Sequence, residues 1–126
     1  MGKRVHVVSR QEEYGSYETF NWKWEEFHSF LDLLGCDCCG ESYDDRFDCL
    51  AEEYKIALDA LKSYQKSGSK SRKFKALLED EENYLTEEDL LGYAENLGGL
   101  DNVIEAMATF YKERDKKSRY IQFVAW

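Results

Sequence analysis

The first chemistry this chain offers is a run of thiols, Cys36-x-Cys38-Cys39, followed by Cys49. Zinc takes four soft or imidazole ligands in a tetrahedral array, and His28 stands not far upstream. Recurrent structural zinc sites use two Cys-x-x-Cys knuckles, whose spacing gives each pair the bite the metal needs, and here only Cys36 and Cys39 stand at that spacing, with no second knuckle. Adjacent Cys38 and Cys39 point different ways in most backbone conformations. The residues therefore read as free thiols in a loop with no cofactor. The alternative is a small metal-binding protein holding zinc on Cys36, Cys38, Cys39 and Cys49.

Carboxylates are the second candidate. Asp44-Asp45-x-x-Asp48 and Glu79 to Glu82 present hard oxygen ligands of the kind divalent cations take. Neither run has the fixed glycine and closing glutamate of a calcium loop, so both read as solvated acidic loops. His6 falls in a predicted strand and His28 on the polar side of a predicted helix, where each reads as structural or surface. Phosphate-cradling glycine loops, Gly-x-Ser-x-Gly and His-Glu-x-x-His are all absent. No catalytic residue is assigned, and a small enzyme of unrecognised type stands only as a further alternative.

Aromatic residues supply the third. Tyr14, Tyr17, Phe20, Trp22, Trp24, Phe27 and Phe30 crowd one short stretch. Phe20, Trp24, Phe27 and Leu31 recur at helical spacing and belong to the core. Trp22 and Phe30 fall off that stripe, and Tyr14 and Tyr17 precede it. Aromatics beside Glu12, Glu13, Glu18, Glu25 and Glu26 have the composition of a protein-binding patch, with Tyr14, Tyr17, Trp22, Glu25 and Glu26 as its contact residues. The competing reading is a wide buried face and a tyrosine-lined turn.

These residues need a scaffold, and composition bounds it. The chain has 126 residues, 43% hydrophobic and 34% charged, which suits one globular domain spanning 1–126. It lacks proline, so helices must stop at glycines and caps. No apolar run approaches the length of a membrane span, and Met1-Gly2-Lys3-Arg4 opens no signal segment. The expected location is cytoplasmic, where thiols stay reduced.

Arg4 to Val8 and Tyr120 to Trp126 are the clearest strand signals, β-branched and aromatic residues alternating with polar ones. Pairing the two ends with each other removes the exposed edges each would have alone. Between them lie helices at about Asn21–Leu34, Ala51–Gln65, Arg72–Leu78, Thr86–Leu97 and Asp101–Arg114. Asn21, Thr86 and Asp101 are expected as caps, and Gly35 and Gly98-Gly99 as stops. Residues 11–19 read as a turn, 36–48 as a loop with a short third strand at Phe47–Leu50, and 66–72 as an exposed, flexible loop. The fold class is α+β, mostly α, with four to five helices packed on a small antiparallel sheet formed by the N- and C-terminal strands.

The net charge of −9 is segregated. Residues 54–78 carry +6, whereas 36–53 carry −6 and 79–101 carry −9. The basic run Lys62 to Lys75 is expected to be neutralised by Glu79-Asp80-Glu81-Glu82 immediately after it. An acidic whole disfavours contact with anionic membranes and makes direct nucleic-acid binding a weak option. In size and charge the chain is similar to the class of small acidic inhibitors that includes toxin-immunity, anti-restriction and anti-CRISPR proteins, a likeness of composition carried by no motif. The function expected is a non-enzymatic acidic protein-interaction domain, an inhibitor or accessory factor binding the surface of a basic protein partner.

Overall fold

A computed structural model describes residues 4–10, 13–20, 23–36, 38–39, 46–79 and 86–125, and for Arg10, residues 13–19, Cys38 and Cys39 the backbone alone. The two ends of the chain do pair. Strand β1 (Val5–Arg10) lies antiparallel to β5 (Tyr120–Ala125), with Val5 opposite Ala125 and Val7 opposite Phe123. Both sides of this pair are extended. β2 (Glu13–Thr19) adds to β1, β4 (Arg46–Leu50) adds to β5, and β3 (Cys38–Cys39) adds to β4. The order is β2-β1-β5-β4-β3, all antiparallel.

Residues 13–19 thus form a strand where the sequence suggested a turn. Their polar, glycine-containing composition hides the pattern, because an edge strand can be polar without cost to the core. The register against β1 is irregular between His6 and Val8 and again between Val8 and Arg10. Such bulges break the strict alternation by which strands are recognised.

Five helices complete the fold: α1 (Trp24–Leu33), α2 (Ala51–Ser67), α3 (Arg72–Leu78), α4 (Glu87–Glu95) and α5 (Leu100–Glu113). Each amphipathic stripe is buried as its spacing requires, with Phe20, Trp24, Phe27, Leu31 and Leu34 all within the core. Phe123 is the hub. Its ring centroid lies 5.4 Å from Phe27 of α1, 5.0 Å from Phe47 of β4, 5.4 Å from Phe110 of α5 and 5.9 Å from Tyr54 of α2. One face of the sheet is therefore covered by three helices through a single aromatic cluster, whose edge-to-face and tilted contacts suit the ring quadrupoles.

Thr86 caps α4 as expected, its hydroxyl accepting from Asp89 N–H at 3.1 Å. Asp101 does not cap α5. Gly99 is the cap residue, at φ 98°, a left-handed conformation that glycine adopts without steric penalty, and the helix begins at Leu100. The cap position of α1 is Lys23, and Asn21 lies outside the described residues. Across 66–72 the backbone is regular: α2 runs on to Ser67, a 3-10 turn follows at Gly68–Lys70, and Ser71 caps α3 by accepting from Phe74 N–H at 3.1 Å. Most of that stretch is exposed, while Ser71 is buried. No helix among the described residues is long and apolar enough to cross a membrane.

Candidate functional site

α1 and α4 pack on one another, and neither carries a lysine or arginine. α1 contributes Glu25, Glu26 and Asp32, and α4 contributes Glu87, Glu88, Asp89 and Glu95. Amphipathicity buries Phe27, Phe30 and Leu31 of the first helix and Leu90 and Ala94 of the second. The acids lie off those buried faces. Glu25 is exposed and Glu26 half-buried. Glu87 accepts from the Tyr64 hydroxyl at 2.6 Å, a bond that holds the Tyr64 hydroxyl proton and raises its pKa. Tyr93 projects from the same acidic helix and is 44% exposed, an aromatic anchor the sequence reading did not single out.

Phe30, which falls off the helical stripe, is fully buried and belongs to the core. It lies next to Leu31 on the wide inner face of a short helix, which absorbs one residue beyond the strict stripe. Tyr14 and Tyr17 fall on β2, an edge strand of the sheet, with Tyr14 opposite Val8. Trp22 lies outside the described residues.

The cysteines are partly gathered. The register of β3 and β4 sets Cys38 opposite Cys49, and Cys39 opposite Asp48. Cys49 is fully buried and Cys36 nearly so, and neither is in a disulfide. No cluster of three or more metal-ligating residues occurs among the described residues, which do not include the Cys38 and Cys39 side chains. Burial raises the Asp48 carboxyl above the ordinary carboxylate range, opposed by the charge of Arg46. His28 stacks on Phe47 at 4.3 Å, with its Nε2 3.8 Å from Asp32, and His6 is buried in β1. Both histidines hold structural positions.

The neutralisation expected of the basic run rests largely on residues outside the described ones. Lys62, Lys66, Lys70, Arg72, Lys73 and Lys75 are all exposed, and none is in an ion pair among those residues. Glu79 is exposed, and Asp80, Glu81 and Glu82 lie outside the description. Lys62 and Lys66 of α2 meet Lys73 of α3 around a shallow groove of about 260 Å³ that also includes Asp59 and Ser63.

A larger cleft, about 540 Å³, opens where α2 begins and α5 ends. Its walls include Leu50, Ile56, Tyr111, Lys55, Arg114 and Arg119. The Arg114 guanidinium carbon sits 3.7 Å from the centroid of the Tyr111 ring, and its Nη1 donates to the Tyr111 carbonyl at 2.6 Å. Lys55 Nζ approaches the same ring at 5.4 Å and donates to Asp59 at 2.8 Å, which raises the Lys55 pKa and keeps it charged. The sequence signals for this cleft were weak. Ile56 falls off the buried stripe of α2, and the cations after Tyr111 read as ordinary complements of a helix C-terminus.

Comparison of the chain with protein-family models, with curated proteins and with solved structures gave no match. The functional reading therefore rests on the residues themselves.

Proposed function

We propose that this chain is a non-enzymatic protein-interaction domain that docks its acidic α1–α4 side on a basic surface of a partner protein, as an inhibitor or accessory factor. The observation that carries the reading is the adjacency of two helices bearing only carboxylates, with Tyr93 exposed among them. Acids on helices that carry no lysine or arginine steer a basic partner, and an exposed tyrosine supplies a rigid amphipathic anchor. Tyr14, Tyr17 and Trp22 are further anchors in this proposal. Reduced thiols and the acidic surface suit a cytoplasmic protein.

The test is capture of a partner from the native host's lysate at low salt and at about 1 M salt, where screening reaches within about 3 Å. One stoichiometric partner should be retained at low salt and released at high salt. A Glu25→Gln, Glu88→Gln, Glu95→Gln variant and a Tyr93→Ala variant should each lose it. A partner held equally by all of these, at either salt, would overturn the proposal.

A second reading, zinc on the cysteine loop, draws on the register that sets Cys38 opposite Cys49. It fails if protein purified without added zinc carries well under one equivalent of metal per chain.

A further inference from the structure

The cleft between α2 and α5 is far more structured than a charged surface patch. Arg114 is fixed on two sides, flat against Tyr111 and bonded to the Tyr111 carbonyl. Its guanidinium therefore loses little further freedom on meeting a ligand. Among the described residues no carboxylate pairs with it. Lys55 is close enough to feel its charge. Two like charges beside one ring, with a carboxylate on only one of them, favour an added anion.

The backbone contributes in the same direction. α2 starts at the cleft, no side chain caps it, and the Ala51 N–H is tied to the Arg119 carbonyl at 2.8 Å, which holds Arg119 at the mouth. The partial positive charge of a helix start adds to the cations around it.

The charge balance selects the kind of anion. The lining holds Lys55, Arg114 and Arg119 against Glu52, and Asp59 is bonded to Lys55. Three cations against two carboxylates leave one positive charge, which a monoanion neutralises and a phosphate dianion exceeds. Apart from Ser118 and Tyr111, the remaining walls are apolar. Leu50 lines the cleft and Ile56 stands at it 66% exposed, an unusual cost for an isoleucine unless something covers it. A volume of about 540 Å³ falls in the range of small-ligand sites.

We infer that this cleft binds an organic monoanion, a carboxylate on an apolar body, with Arg114 forking the carboxylate and Ile56 and Leu50 covering the hydrocarbon. Arginine is the residue whose planar donors match a carboxylate two at a time. The cleft uses no residue of α1 or α4, and either proposal can fail without the other.

The test is titration of the isotope-labelled full chain with acetate, hexanoate and inorganic phosphate, followed by backbone amide NMR shifts. Hexanoate should give saturable shifts confined to residues 50–56 and 111–119, binding about tenfold or more tighter than acetate as its extra methylenes leave water. Phosphate should bind more weakly than hexanoate. Arg114→Gln should weaken hexanoate about tenfold. Ile56→Ser, at an exposed position that does not threaten folding, should weaken hexanoate about threefold and leave acetate unchanged. An N-acetylated tripeptide ending in leucine, with a free or an amidated terminus, separates the sources. Saturation by the acid alone makes a peptide terminus the ligand, and saturation by hexanoate alone makes it a small acid. Shifts that never saturate, that map elsewhere, or that are unmoved by either substitution would overturn the assignment.

Discussion

Tyr54→Phe isolates one bond between α2 and α5. The Tyr54 side chain is fully buried, and its hydroxyl donates to the Met107 carbonyl at 2.8 Å across fifty-three residues of sequence. Removing the oxygen leaves the ring contacts in place, near-parallel to Tyr111 at 6.2 Å and tilted on Phe123 at 5.9 Å. The loss is then a buried neutral hydrogen bond and a carbonyl left with one partner fewer, about 1–2 kcal/mol. In a domain of this size that lowers the melting midpoint by roughly 3–8 °C. Urea unfolding checks it, with the midpoint falling and the slope unchanged. Tyr93→Phe, at an exposed hydroxyl, is the internal control and should stay within about 0.5 kcal/mol of the parent. A Tyr54→Phe loss below about 0.3 kcal/mol would refute the packing of α5 on α2 argued above.

Phe123→Ala should cost about 3–5 kcal/mol by urea unfolding, because it empties the centre of an aromatic cluster fed by four elements. Burial raises the Asp48 pKa in the folded protein, so its contribution to stability is complete below the ordinary carboxylate range and is lost as pH rises through the folded value. Asp48→Asn should accordingly be more stable than the parent at neutral pH and no more stable near pH 3, read by thermal melts across that range. Gly98→Ala should cost about 1–2 kcal/mol, since Gly98 has φ 93° and a new Cβ would fall 2.8 Å from the Asn102 amide that donates to the Leu97 carbonyl. Cys36 and Cys49 should resist a thiol reagent in the native protein and react on unfolding. Immediate reaction of Cys36 and Cys49 in the native protein would contradict their burial.

Much of the architecture was legible because local and global signals agree. The stripes Trp24, Phe27, Leu31 and Tyr54, Ala57, Leu58, Leu61 are buried as their spacing requires. Thr86 carries the cap its type announces. The N- and C-terminal strands join because each has a hydrophobic face and no nearer partner. β2 escaped because a polar edge strand with an irregular register has no period to read. Asp101 misled because the left-handed Gly98-Gly99 pair caps α5 two residues earlier, leaving the Asp101 carboxylate to accept from Gln65 at 2.9 Å.

The acidic segments could be found by counting charges, but their meeting could not. The acidic helices α1 and α4 are neighbours only because, far apart in sequence, they pack on one another. The α2–α5 cleft depends still more on folding: Lys55 and Arg114 stand fifty-nine positions apart, yet both face Tyr111. By itself the sequence determined the five helices, the two terminal strands, the main buried stripes and the sign of charge along the chain, because these follow from side-chain period and type. Which charges become neighbours, and which apolar residue stands uncovered beside them, was decided by the tertiary packing around Phe123, because electrostatic and contact energies depend on distance in space rather than on separation along the chain.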